Sequence, residues 1–218
     1  PKTGILQVLQ LRGGPPLRIY QHFSVVGFCN TYLIGSKVGS DAILIDPGHV
    51  DNELIHLIES NEFKLKHVLL THRHKAHTAG LGTLVKIYNP TIYASSFSSY
   101  EYPVKAISDH QVLTMCDLDI EVIHVPGHSL DSLVFKIDHA LFTGDTLMCG
   151  RVGSTEGYRE QALLLQSIWK RLMSLDENIL LFPGHGTASK LRIERMFNHQ
   201  LLELGAMATE RQNWRENE

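Results

Sequence analysis

The stretch Leu69-Leu70-Thr71-His72-Arg73-His74-Lys75-Ala76-His77 places three histidines within six residues, directly behind an apolar run. Val68, Leu69 and Leu70 read as the end of a buried strand, so the histidines fall where a strand gives way to a loop. In an extended segment positions i and i+2 point the same way, so His72 and His74 can face one point. His77 follows as the chain turns into an expected helix from Thr78 to Tyr88 and can reach a neighbouring point. Imidazole is a good ligand for Zn²⁺ and similar ions, and a strand end leading into a helix can hold several imidazoles rigidly. A solvated loop that happens to be rich in histidine is the competing reading.

The downstream sequence argues against that competing reading. Three further ligand-type residues have the same setting, each behind an apolar strand and beside glycine, where a loop turns tightly. They are His128 in Val125-Pro126-Gly127-His128-Ser129, Asp145 in Phe142-Thr143-Gly144-Asp145-Thr146, and His185 in Phe182-Pro183-Gly184-His185-Gly186. One such element is weak evidence; four in one chain point to a metal site.

The elements around these motifs follow from periodicity and turn chemistry. Strands are expected at 4–11, Ile19–Phe23, Asn30–Ile34, Ala42–Ile45, His67–Leu70 and Ile92–Ala94, with a turn at Gly13-Gly14-Pro15-Pro16. Asp51 is placed to cap a helix over Asn52–Ser60 that buries Leu54, Ile55, Leu57 and Ile58. The second half repeats the pattern, with strands at Gln111–Met115, Ile120–His124, Leu133–Ile137, Ala140–Thr143 and Ile179–Phe182. Helices are expected over Gln161–Leu175, with Leu164, Leu165, Ile168, Trp169 and Leu172 as the core stripe, and over Lys190–Leu204. The last dozen residues, Thr209–Glu218, are polar and expected to fray. Two halves with strands first, helices later and no linker between them make a four-layer helix–sheet–sheet–helix (αββα) sandwich, an α/β fold spanning 1–218 as one domain.

Composition sets limits. Net charge is −3 with no basic block, so no nucleic-acid partner is expected. No apolar run approaches the roughly 20 residues of a membrane helix. The start, Pro1-Lys2-Thr3, has no signal-peptide pattern. Cys29, Cys116 and Cys149 are odd in number and widely spaced, which fits a reducing, cytoplasmic setting. Of the 13 histidines, His22, His49, His56, His67, His110, His124, His139 and His199 lack a partner motif and read as surface or satisfied core residues. Cys149, four residues after Asp145, borders the motif and is not expected to be a ligand.

From Ile45-Asp46-Pro47-Gly48 to Pro183-Gly184-His185-Gly186 the chain resembles the metallo-β-lactamase-fold hydrolases, whose motif is T-H-x-H-x-D-H followed by a histidine, a bridging aspartate and a final histidine. Pro-Gly-His-Ser, Phe-Thr-Gly-Asp-Thr-Leu and Pro-Gly-His-Gly look closest to the glyoxalase II-like branch, which includes thioester hydrolases and persulfide dioxygenases. The resemblance implies that His72, His74 and His128 bind a first metal, His77 and His185 a second, and that Asp145 bridges them. The metal would be zinc, one or two ions, with iron or manganese as alternatives. It implies a supporting, non-ligand role for Asp46 and a substrate contact for Arg151. Tyr158, in the same glycine-rich loop (Gly150, Gly153, Gly157), is expected with Arg151 at the substrate mouth.

Ala76 stands where the family has an aspartate, leaving the second site one ligand short. A three-ligand site with an open position can still be catalytic. The implied activity is hydrolysis of a small ester or thioester by a metal-activated water. A mononuclear-iron persulfide dioxygenase using His72, His128 and Asp145 is one alternative, and a non-catalytic metal-binding protein on the same fold is the other. Only 32 residues follow Gly186, fewer than the helical domain with which glyoxalase II proper holds glutathione. A β-lactamase activity is not expected.

Overall fold

The computed structural model describes residues 5–11 and 16–203. Its first sheet takes seven strands in chain order: β1 (Ile5–Gln10), β2 (Pro16–Phe23), β3 (Asn30–Gly35), β4 (Asp41–Ile45), β5 (Lys64–Leu69), β6 (Thr91–Ser95) and β7 (Val104–Ile107). β1 to β4 pair antiparallel, and β4 to β7 pair parallel. Parallel neighbours need crossovers. Helix α1 (Asn52–Ser60) crosses between β4 and β5; α2 (Lys75–Thr78) and α3 (Leu81–Ile87) cross between β5 and β6.

The second half supplies β8 (Val112–Met115), β9 (Leu118–His124), β10 (Leu133–Ile137), β11 (Ala140–Gly144), the two-residue strands β12 (Leu147–Met148) and β13 (Arg151–Val152), α4 (Tyr158–Arg171), β14 (Leu180–Pro183), β15 (Ser189–Lys190) and α5 (Leu191–Phe197). Six of these strands form a sheet in the order β15-β14-β11-β10-β9-β8, while β12 and β13 pair with each other.

The sheets pack face to face. Ile19, Tyr32, Ile34, Ile43 and Ile45 from the first meet Ile120, Val122, Phe135, Phe142 and Phe182 from the second. Tyr32, Phe142 and Phe182 form an aromatic knot with centroids 5.1–5.6 Å apart. On the outer face of the first sheet, Leu33, Leu44 and Val68 take Leu54, Leu57 and Ile58 of α1 and Leu81 and Leu84 of α3. On the outer face of the second, Ile123, Val134 and Leu141 take Leu164, Ile168 and Leu191. The expected four layers are therefore present. The carboxyl ends of β4 and β5 in one sheet and of β9, β11 and β14 in the other gather along one edge. There the sheets are stitched by backbone bonds from Leu133 N–H to Thr71 O (2.7 Å) and from Asn30 N–H to Gly184 O (2.7 Å).

Asp51 caps α1 as expected, accepting from Leu54 N–H at 2.9 Å, although Ile55 is only half-buried. Three helices differ from expectation. The helix expected over Thr78–Tyr88 is split into α2 and α3, because Gly80 N–H donates to Pro47 O and a Cβ there would lie 2.7 Å from that oxygen. α4 begins three residues before Gln161, and Trp169 of its expected core stripe is 38% exposed. Its indole instead donates to Leu201 O at 3.2 Å. The helix expected over Lys190–Leu204 breaks at buried Asn198, which is extended and donates its amide to Glu194 Oε2 at 2.9 Å. Strands β7, β12, β13 and β15 were not expected; all but β7 are two residues long. Residues 13–15 of the expected turn and the tail from Thr209 lie outside the described residues.

Candidate metal centre

His72, His74, His77, His128, Asp145 and His185 converge on that edge. Ligand-type atoms of His72, His74, His128 and Asp145 lie within 4.8 Å of one another, as do those of His77, Asp145 and His185. Asp145 belongs to both groups. Its Oδ2 stands 3.9 Å from His72 Nε2, 3.7 Å from His128 Nε2 and 3.4 Å from His185 Nε2, and its Oδ1 stands 3.4 Å from His77 Nε2. His74 turns Nδ1 inward, 3.0 Å from His128 Nε2.

The opposite ring nitrogens are tied down. His72 Nδ1 meets Thr71 Oγ1 at 3.0 Å, His77 Nδ1 meets Asp46 Oδ2 at 3.1 Å, His128 Nδ1 meets Ser154 O at 2.7 Å and His185 Nδ1 meets Phe28 O at 2.8 Å. Facing a carbonyl or carboxylate, the Nδ1 atoms of His77, His128 and His185 carry a proton, so that in the neutral ring Nε2 is the ligand atom. For His72 the tautomer is relayed, since Thr71 Oγ1 donates to Asp46 Oδ2 at 2.6 Å and so must accept from His72. Inward, His72 Nε2, His77 Nε2 and Asp145 Oδ1 are buried without a hydrogen-bond partner among the described residues. Buried polar atoms are ordinarily paired, and imidazoles fixed from behind with ring nitrogens converging on a carboxylate fit a divalent cation.

The electrostatics separate the two groups. Burial, followed by the neighbouring His77, pushes His72 well below the usual imidazole pKa, and burial with His128 lowers His74. Burial works against protonation of His77 as well, but Asp46 and Asp145 outweigh it and raise it to about 10. The bond to Asp145 raises His185. For Asp145, burial opposes ionisation, yet His185 and His77 hold the carboxyl far below its ordinary range.

Asp46 lies directly beneath the centre, buried and with a left-handed φ of 53°. It accepts from Thr71 N–H (2.8 Å) as well as from the Thr71 hydroxyl. Ala76 lies under the loop joining β2 to β3. Its carbonyl accepts the buried Cys29 thiol at 2.7 Å, and a Cβ on Gly27 would lie 3.0 Å from its Cβ. Burial and Asp46 push that thiol up to about 12.

Two clefts flank the centre. One of about 440 Å³ is lined by Asp145, Arg151, Gln161, His185 and Gln200; the other, of about 360 Å³, opens beside His74 and His128. Arg151 therefore borders the centre. Tyr158 is 91% exposed at the start of α4 and lines neither cleft. Cys149 is exposed at the β12–β13 turn and joins neither ligand group. His22 pairs with Asp51 at 3.0 Å and His124 with Leu130 O at 2.7 Å, both apart from the centre.

Two supporting residues lie outside the motifs. Buried Asn30 donates to Pro183 O (2.9 Å) and Gly186 O (2.8 Å), clamping the loop that carries His185. Glu194, fully buried, accepts from Ser189 Oγ (2.6 Å), Gly150 N–H (2.9 Å) and Asn198 Nδ2 (2.9 Å), fixing the β12–β13 hairpin against α5. The signal for Glu194 was a carboxylate three residues after Leu191, at the spacing of the buried helix face.

The model of the metallo-β-lactamase superfamily matches residues 24–185, a span holding all six converging side chains. The chain belongs to this superfamily. Among similar proteins, an uncharacterized protein of Mycobacterium tuberculosis is 28% identical over 204 residues, covering 78% of this chain and 91% of its own length. A hydroxyacylglutathione hydrolase of Tolumonas auensis is 33% identical over 163 residues, covering 72% of this chain and 61% of its own. Among solved structures, ETHE1 from Myxococcus xanthus superposes with a TM-score of 0.75 at 29% identity, with 83% of each chain covered. Among the described residues, no helix is long and apolar enough to cross a membrane.

Proposed function

We propose that this chain is a metal-dependent hydrolase of a small ester or thioester. The observation that carries the reading is the set of ring nitrogens converging on Asp145, each imidazole but His74 held from behind by a fixed acceptor. On this reading His72, His74 and His128 hold one ion, His77 and His185 a second, and Asp145 serves both. Zinc fits this nitrogen and oxygen set, as do iron and manganese. The bound ion supplies Lewis acidity and lowers the pKa of its water to about 7. The protein's part is to fix the ligands: Asp46 orients His77 directly and His72 through Thr71. Arg151 offers a guanidinium to an anionic part of the substrate. The similarity to a hydroxyacylglutathione hydrolase supports thioester chemistry, and three free thiols support a cytoplasmic setting.

The test is to load the chain with Zn²⁺, Mn²⁺ or Fe²⁺, measure stoichiometry, and assay acyl esters and thioesters. Arg151→Ala should raise KM for an anionic thioester while metal content stays the same. A loaded chain that cleaves no ester or thioester overturns the reading.

A second reading is a mononuclear-iron dioxygenase acting on a persulfide. Two histidines and a carboxylate are the ligand set of non-haem iron oxygenases. His72, His128 and Asp145 supply it without position 76, and the likeness to ETHE1 favours it. Oxygen uptake by the iron-loaded chain with a glutathione persulfide, without thioester cleavage, would select it. A chain that binds metal and turns over neither substrate is the non-catalytic binding protein.

A further inference from the structure

The cleft beside His74 and His128 has an apolar wall that neither the ligand set nor the fold accounts for. Phe97 is 69% exposed, Leu130 74% and Leu163 37%, and all three line it together with the two histidines. Large apolar side chains left in water singly are ordinary; three on one concave surface beside a reactive centre mark a ligand site. They come from three elements, namely the turn after β6, the loop between His128 and β10, and α4.

The wall is also built rigidly. Asp131 accepts from Ser129 Oγ at 2.6 Å and from Ser98 Oγ, tying the turn of Phe97 to the loop of Leu130. Ser129 in turn meets Ser132 Oγ at 2.8 Å. Phe97 stacks on the His124 ring at 5.2 Å, and that ring bonds the carbonyl of Leu130. Charges in the cleft have both signs, Arg73 and Arg159 against Asp131, Glu156 and Glu160. The guanidiniums do not outnumber the carboxylates, so nothing there selects an anionic arm and the apolar wall decides.

We infer that this cleft is the acyl subsite: it takes an apolar acyl chain, medium-length aliphatic or arylalkyl, with the acyl carbon at the His74–His128 side of the centre. The inference rests on the hydrolase reading and names the substrate class for it. Its support is the continuity of the wall with the centre, since His74 and His128 belong to both. The opposite cleft, with Arg151, Gln161 and Gln200, is left for the polar leaving arm.

The experiment compares octanoate and acetate binding to the zinc-loaded full chain by calorimetry, and hydrolysis of octanoyl and acetyl thioesters of N-acetylcysteamine. Octanoate should bind at least about tenfold tighter than acetate, because its added methylenes leave water. Leu130→Asp and Phe97→Ser should each cut that ratio below about threefold. Phe197→Ser, on the exposed face of α5, should leave it unchanged. A wild-type ratio near one, or a ratio that survives Leu130→Asp, overturns the subsite. The two readings fail separately. Thioester cleavage without chain-length preference sinks the subsite and keeps the hydrolase; octanoate preference without cleavage does the reverse.

Discussion

His77 and Asp46 are locked together beneath the centre, Nδ1 to Oδ2 at 3.1 Å, with both side chains out of reach of water. The same carboxylate holds Thr71 by backbone and hydroxyl, and Thr71 holds His72. One aspartate thus sets the tautomers of one imidazole in each ligand group. Its left-handed backbone, at φ 53°, is one that Asn tolerates well.

Asp46→Asn should therefore keep the fold and weaken the centre. An asparagine that turns its carbonyl oxygen to His77 and the Thr71 hydroxyl sets its own NH2 against the Thr71 N–H and loses that acceptor. Loss of such an outer partner typically lowers metal affinity about 10–100-fold. Competitive chelator titration with Zn²⁺ measures this, with the melting temperature of the metal-free chain as the control. Unchanged affinity would reduce Asp46 to a structural role.

Proton release should distinguish the two sides. His77 is raised to about 10, and His185 shifts in the same direction. At neutral pH the metal-free His77 side therefore holds protons that an ion must displace. Affinity there should rise with pH, by about tenfold per unit for each proton displaced, until the folded pKa is passed. His72 and His74 are lowered and already neutral near pH 7, so filling their side should be nearly flat in pH. Calorimetry in buffers of different ionisation heat counts the protons; at least one is expected with the second ion.

Much of this was legible in the sequence because the motifs sit where strand ends meet glycine, and the sheets gather those ends on one edge. The six converging side chains and the cap at Asp51 followed from local pattern. Asn30 did not, because what it clamps lies about 150 residues away in the chain. Gly80 stopped a helix through a contact with Pro47 that no periodicity records. The glycine-rich surroundings of Tyr158 point to the mouth, yet as the first residue of α4 it is exposed to solvent.

Glu194 should act on the Arg151 cleft from a distance. It bonds the Gly150 N–H, while Gln200 holds Val152 N–H at 2.9 Å. The same hairpin carries Arg151 and leads to Ser154, whose carbonyl fixes His128. Glu194→Ala should free the hairpin, raising KM severalfold for an anionic thioester and loosening Zn²⁺ on the His128 side. Glu194→Gln can keep the Gly150 and Asn198 bonds on its oxygen and meet Ser189 through its amide, so it should restore both readouts. If Gln behaves like Ala, the charge and not the bonding geometry is what matters.

Ala76→Asp should strengthen the second side. His77, His185 and Asp145 would provide three ligands there, and an aspartate would add a fourth with a negative charge. A gain of about tenfold or more in affinity is expected on that side, with the His72–His74–His128 side little changed, since it takes nothing from position 76. The contact with the loop at Gly27 limits the outcome. A Cβ on Gly27 would lie 3.0 Å from that of Ala76, so the loop rests directly on this residue and must adjust to a longer side chain. Cys29, whose thiol bonds the Ala76 carbonyl, has to move with it or hold the backbone still. Titration of both forms with Zn²⁺, followed by the thioester assay, decides. Two ions bound tightly by Ala76→Asp with faster turnover support a binuclear hydrolase impaired at one position. Equal affinity and equal rates in the two forms would mean that position 76 has no part in the centre.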